Sequence, residues 1–203
     1  MDDCLDIVKA STKHAIECIE LPKSPPGIET DEHVEQAVPN LIEAVTTMPA
    51  DAYVVSCFSD PGLARVRAAT RKPVIGIAEA AYLAALGLGG RFGIVSMGPS
   101  SIVRHRVYLE RLNLDARMAG DRSIDMTIPQ LMATNVVETV ARVGRQLRDQ
   151  DGAEVVILGC AGLGSYRAAM EDALGLPIVD PVQAGVALAC TTLDLRYTTA
   201  AAH

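Results

Sequence analysis

Two matched segments constrain this chain more than anything else in it. Tyr53-Val-Val-Ser-Cys57 and Val156-Ile-Leu-Gly-Cys160 are apolar, strand-sized runs that end on a cysteine. Each is followed by a second short run opened by proline. Pro73-Val-Ile-Gly begins 16 residues after Cys57, and Pro177-Ile-Val-Asp begins 17 residues after Cys160. Upstream, Cys18 precedes Cys57 by 39 residues and Met118 precedes Cys160 by 42. Asp51 and Asp151-Gly152 stand just before the two central runs. Matched offsets over several elements are the mark of an internal duplication. The chain reads as two related halves, each placing one Cys at the carboxyl end of a strand.

Around these runs, β-rich segments alternate with amphipathic ones, which predicts an α/β fold with mostly parallel strands. Strands are expected at Ile16–Glu20, Tyr53–Phe58, Val74–Ile77, Phe92–Met97, Ala116–Met118, Val155–Cys160 and Ile178–Asp180. The stronger of them are continuous apolar runs, as in a parallel sheet covered on both faces. Helical spacing of apolar residues predicts helices over Asp31–Thr47, Ser100–Arg111 and Pro129–Asp149. The second half opens on the Phe92–Met97 strand. The first half opens directly on a helical pattern over Asp2–Lys13, so its first strand is expected to be absent.

Composition narrows the function classes. Half of the 203 residues are hydrophobic (49 %) and only 3 % are aromatic, so aromatic platforms for single-stranded nucleic acid are not available. A net charge of −7 argues against a phosphate-backbone footprint. The five cysteines are odd in number, scattered, and without a C-x-x-C pair. They form neither a disulfide framework nor a zinc ribbon, and free thiols point to a reducing cytosol. The amino terminus lacks a signal-peptide pattern, and no apolar run approaches the roughly 20 residues of a membrane helix. A cytoplasmic protein with no metal and no cofactor is expected.

In open α/β sheets, ligands bind outside the carboxyl ends of the strands, where Cys57 and Cys160 both fall. Turn residues follow each one: Phe58-Ser-Asp-Pro-Gly after Cys57, and Ala161-Gly-Leu-Gly-Ser after Cys160. Backbone N–H groups at helix starts lower a nearby thiol's pKa from its free value of about 8.5. One thiolate and one thiol suit proton transfer at a stereocentre: one removes a proton from one face and the other delivers one to the opposite face. Backbone donors beside the cysteines would stabilise the enolate. Cys4, Cys18 and Cys190 lack this context and read as packing residues.

These residues resemble the aspartate/glutamate racemase superfamily, and within it the hydantoin/allantoin racemase branch. The resemblance is carried by Cys57-Phe-Ser-Asp-Pro-Gly-Leu, Pro73-Val-Ile-Gly-Ile-Ala-Glu-Ala, Phe92-Gly-Ile-Val-Ser, Leu158-Gly-Cys-Ala-Gly-Leu and Pro177-Ile-Val-Asp, and covers nearly the whole chain. It implies that Cys57 and Cys160 are the catalytic acid/base pair. It also implies two similar lobes, 1–96 plus 181–203 and 97–180, with the active site in the cleft between them, and a homo-oligomer. Two departures stand out. Family members usually open with a strand ending in an Ile-Asn-Pro-Asn-Thr-like motif, which is lacking here. The Thr-Thr expected after the Phe92 strand is Ser96-Met97.

The expected substrate-binding residues are Phe58, Ser59, Glu79, Ser96, Ala161 and Gly162. The Asn/Thr side chains with which amino-acid racemases follow their cysteines are replaced by Phe58 and by Ala161-Gly162, and Asp60 would repel a carboxylate if it faced the site. A neutral cyclic imide therefore fits better than an acidic amino acid. Glu79 either orients the substrate or sits in a helix first turn, where a negative charge is favoured without function. Asp60 reads as an N-cap before Pro61 or as a ligand, and Asp180 before Pro181 has the same reading. His33 and His105 are placed on solvated helix faces. The alternatives are a maleate-type cis–trans isomerase or an amino-acid racemase on the same scaffold. Outside that scaffold they are a non-catalytic small-molecule-binding protein or a dinucleotide-binding protein, the last resting on Gly159-Cys-Ala-Gly-Leu-Gly with Asp180 downstream.

Overall fold

A computed structural model describes residues 6, 8–25, 27–133, 136–197 and 199. The chain divides into two compact units, residues 1–80 with 182–203, and residues 81–181. The boundary thus lies earlier than the expected break after residue 96. The reason is pairing: the strand Phe92–Ser96 is an interior strand of the second unit's sheet.

In the first unit the described elements are α1 (Asp31–Thr47), β1 (Tyr53–Val55), α2 (Leu63–Ala68), β2 (Val74–Gly76), the start of α3 (Ile77–Leu88) and most of α8 (Pro181–Asp194). Strands β1 and β2 pair in parallel. Side chains alternate across this pair, as the pleat demands. Val55 and Val74 pack with Val45 of α1 and with Leu63 and Val66 of α2. Ile75, with Val54 beside it, packs with Ala189 of α8. Both faces are covered, which is why the two runs are apolar without a polar alternation.

The second unit holds β3 (Phe92–Ser96), α4 (Pro99–Arg111), a 3-10 turn (Asp115–Arg117), β4 (Met118–Ser123), α5 (Ile128–Ala133), α6 (Val137–Asp149), β5 (Val155–Leu158), a 3-10 helix (Ala161–Tyr166), α7 (Arg167–Leu174) and β6 (Ile178–Val179). The sheet order is β4-β3-β5-β6, with every pair parallel. One face of it, with Val95, Val156, Leu158 and Ile178, meets the apolar stripe of α6 (Val140, Val143, Leu147) and Met170 and Leu174 of α7. Gly144 of α6 admits the Leu174 side chain, which would come within 2.4 Å of an added Cβ. On α3, Tyr82 stacks on Phe92 with ring centroids 5.7 Å apart.

Several expectations need correction. Residues 15–21 form no strand and are mostly exposed. Among the described residues no strand pairs with them. The strand expected at Ala116–Met118 lies at Met118–Ser123, after a 3-10 turn. The Pro129–Asp149 helix is two helices, α5 and α6. Of the Asp2–Lys13 helix, residues 6 and 8–10 are helical, and 1–5 and 7 lie outside the described residues. Cys18 is exposed, not packed, whereas Cys190 is half-buried with its Sγ 3.3 Å from Thr12 Oγ1. Cys4 lies outside the described residues. His105 is buried, not solvated, at 2 % exposure, and His33 is half-buried with its Nδ1 accepting the Glu29 N–H.

Candidate active site

The duplication read from the sequence is a duplication of backbone geometry. Tyr53 pairs with Val74, and Val54 with Ile75. In the second unit Val156 pairs with Ile178, and Ile157 with Val179. These are the equivalent residues of the two matched segments. The Tyr53 N–H donates to the Pro73 carbonyl at 2.9 Å, and the Val156 N–H to the Pro177 carbonyl at 3.0 Å.

The two cysteines leave their strands in the same way. The Cys57 N–H donates to the Val55 carbonyl at 3.0 Å, and the Cys160 N–H to the Leu158 carbonyl at 2.8 Å. Three residues on, the Asp60 N–H donates to the Cys57 carbonyl at 2.9 Å, and the Leu163 N–H to the Cys160 carbonyl at 3.2 Å. Each cysteine therefore sits at the first bend after its strand, in a turn closed by its own carbonyl. Neither cysteine is in a disulfide, and both are half-buried. Cys160 is the residue before the 3-10 helix, with extended backbone (φ −155°, ψ 137°). Cys57 leads through Asp60 (φ 41°) and Gly62 (φ 59°) into α2.

Glycines flank Cys160 for packing reasons. A Cβ on Gly159 would lie 2.6 Å from the Val95 carbonyl oxygen, which accepts the Gly159 N–H at 2.8 Å. Only glycine lets β3 and β5 approach this closely just before the cysteine. A Cβ on Gly162 would lie 3.8 Å from Cys160 Sγ and 3.2 Å from Leu131, so the bare backbone keeps space beside the thiol. These glycines thus have structural duties, and they open a 3-10 turn rather than the long helix a dinucleotide fingerprint requires.

The other expected site residues divide. Ser59 and Ala161 are half-buried and Gly162 is exposed, each within three residues of a cysteine. Phe58 is buried at 4 % exposure. The Glu79 carboxylate accepts both Arg67 Nη groups, the closer at 2.7 Å, while Arg67 Nε donates to the Val74 carbonyl at 2.9 Å. Glu79 also stands in the first turn of α3, the position its charge favours.

Ser96 is fully buried, and its hydroxyl donates to Asp121 Oδ1. His105 Nδ1 lies 2.8 Å from Asp121 Oδ2 and 3.1 Å from Ser96 Oγ. The trio looks superficially like a hydrolytic triad. Both partners approach the same ring nitrogen, however, so the imidazole cannot pass a proton from serine to carboxylate. The cluster ties α4 to the carboxyl end of β3. Its signal lay in the helical spacing of His105 and Leu109, the two buried residues of α4.

Asp60 is neither the N-cap of the helix that follows it nor a charge turned to solvent. It is buried at 5 % exposure, and its Oδ1 and Oδ2 accept the N–H groups of Ala78 and Glu79, each at 3.0 Å. It caps α3 from 18 residues away. Its charge is satisfied there and no longer argues against an acidic substrate.

A model of the Asp/Glu/Hydantoin racemase family matches residues 1–189. The chain belongs to that family. A hydantoin racemase of Paenarthrobacter aurescens is 37 % identical over 164 residues, which is 76 % of this chain and 66 % of that protein. The family member described here thus spans about two-thirds of the length of that relative. The structure of an allantoin racemase from Klebsiella pneumoniae superposes with a TM-score of 0.90 at 26 % identity, covering 98 % of this chain and 84 % of that one. An allantoin racemase from Pseudomonas fluorescens shares the fold with a TM-score of 0.93 at 23 % identity, over 98 % of this chain and 87 % of that one.

Proposed function

We propose that this protein is a cofactor-independent racemase that inverts the C5 stereocentre of a neutral cyclic imide, a 5-substituted hydantoin or allantoin. Cys57 and Cys160 are the two proton-transfer groups, and Ser59, Ala161 and Gly162 border the ring. The observation that carries the reading is the equivalence of the two cysteine turns, in strand register and in hydrogen bonds, within a chain of the Asp/Glu/Hydantoin racemase family.

In this reading one cysteine, as thiolate, takes the C5 proton and becomes a thiol. The electron pair moves into the adjacent carbonyl as an enolate. The other cysteine, as thiol, gives its proton to the opposite face of C5 and becomes a thiolate. One C–H bond breaks and one forms, and the cysteines exchange protonation states, to be reset through solvent. Two thiols match the task because both states of the group are reachable near neutrality. The neutral ring is supported by the names of the relatives and by Phe58 and Ala161-Gly162 standing where Asn/Thr would grip an amino acid's charged groups. A cytoplasmic setting and association with further copies of the chain belong to the same reading.

The test supplies one enantiomer of a 5-substituted hydantoin in D₂O. Optical rotation and deuterium at C5 are followed for the parent protein and for Cys57→Ser and Cys160→Ser. The expected result is racemisation with solvent deuterium by the parent and loss of racemisation in each variant. Near-parental racemisation by either variant overturns the two-base mechanism. A parent that racemises neither a hydantoin nor allantoin overturns the substrate class.

A further inference from the structure

Asp60 and Asp180 are a buried carboxylate pair that the duplication does not predict at equivalent positions. In the first unit the carboxylate stands on the cysteine turn, three residues after Cys57, and the strand-end position after Pro73-Val-Ile is Gly76. In the second unit the turn position is Leu163, and the strand-end position after Pro177-Ile-Val is Asp180. A Cβ built on Gly76 would lie 2.3 Å from Asp60 Oδ2 and 2.4 Å from its Cγ. A side chain on the strand-end residue therefore points to the place that the Asp60 carboxylate fills. Asp180 carries such a side chain, and it is buried at 2 % exposure. Each half thus buries one carboxylate, on the cysteine turn in the first and at the strand end in the second. Asp60 lies against the start of α3, and Asp180 immediately precedes α8.

The first-unit arrangement shows what the group does. Asp60 gives its N–H to the Cys57 carbonyl and accepts the Leu63 N–H at 3.2 Å, while its carboxylate accepts two amides of α3. One residue joins the cysteine turn to the end of β2. Its left-handed backbone, at φ 41°, is uncommon for a residue with a side chain and more accessible to Asp than to most others. We propose that Asp60 is a positioning residue, fixing the turn that carries the catalytic Cys57 by clamping it to the start of α3. The proposal rests on the two-cysteine reading of the function.

The test compares the parent, Asp60→Gly, and the double variant Asp60→Gly/Gly76→Asp, which moves the carboxylate to the position used in the second half. Glycine suits the positive φ and clears the space. Two readouts are taken: kcat and KM for hydantoin racemisation, and the pH profile of iodoacetamide alkylation at Cys57 and Cys160, resolved by peptide mass spectrometry. Asp60→Gly is expected to lower kcat by about 10²-fold, the effect of a small misplacement of a reacting group, with little change in KM. The Cys57 alkylation profile moves and that of Cys160 stays. The double variant, whose carboxylate can cap α3 but is no longer borne on the cysteine turn, is expected to keep the lowered kcat and the moved Cys57 profile, and full recovery of both overturns the proposal. A folded Asp60→Gly variant with parental kcat and a parental Cys57 profile overturns the proposal, as does an equal change at both cysteines. If Asp60→Gly does not fold, Asp60→Asn serves in its place, with a smaller effect in the same direction at Cys57 alone. The alkylation readout needs no substrate, so it decides the positioning role even where no hydantoin is racemised.

Discussion

His105 Nδ1 lies 2.8 Å from the Asp121 carboxylate, with both side chains no more than 3 % exposed. A hydrogen bond between two buried polar side chains is costly to break from one side, because the partner left behind is stranded away from water. His105→Ala is expected to destabilise the protein by about 3 kcal/mol. Replacing the whole cluster with apolar residues, His105→Leu with Asp121→Val and Ser96→Ala, is expected to lose much less. Guanidinium unfolding midpoints of the two variants and the parent measure the difference.

Cys57→Ser and Cys160→Ser are each expected to lower racemisation by about 10²- to 10⁴-fold, the usual share of a positioned acid or base. Neither is expected to change the thermal midpoint appreciably, because both thiols are only half-buried. Polarimetry beside a calorimetric scan separates lost chemistry from lost folding.

Gly76→Ala places a Cβ 2.3 Å from Asp60 Oδ2. The carboxylate has to leave the two amides it caps or the turn has to shift. A loss of about 1–3 kcal/mol is expected, largely relieved in the Asp60→Gly background. Urea denaturation of the single and double variants checks the relief.

Arg122 grips Asp151 with Nε at 2.6 Å from Oδ2 and Nη2 at 2.9 Å from Oδ1. The hydrogen bonds from Arg122 hold the Asp151 carboxyl below its usual range, with the charges of Arg122 and Arg91 helping and burial opposing. A carboxylate lowered on folding stabilises the protein above its ordinary pKa of about 3.9, and that contribution is lost as pH falls through the lower folded value. Asp151→Asn is expected to cost about 1 kcal/mol near neutrality, with the gap to the parent closing in strong acid. Unfolding midpoints across an acid-to-neutral pH series trace it.

What the sequence revealed depended on how local each signal was. Strands β3 and β5 and the paired Pro-Val-Ile and Pro-Ile-Val runs were legible because both faces are buried and the apolar runs are unbroken. Strand β4 was misplaced because Met-Ala-Gly-Asp-Arg-Ser is a half-buried edge strand with little β-forming character. The Ile16–Glu20 run has strand-forming residues, but among the described residues no strand pairs with it. At the site, both cysteine turns were found through their matched offsets. Asp60 was misread because its partners, Ala78 and Glu79, lie too far along the chain for any local capping rule to reach.

The apolar layer over Val54 and Ile75 is completed by Ala184, Leu188 and Ala189 of α8, more than a hundred residues later in the chain. The second unit, by contrast, is contiguous from Ala81 to Pro181. On the ribosome, residues 81–181 have every strand of their sheet before α8 emerges. The segment that carries Cys57 meanwhile waits with one sheet face uncovered. Synthesis from the amino end therefore finishes the Cys160 half first, although the Cys57 half is made first, and the exposed face of β1 and β2 is the surface most open to misassociation in the interval.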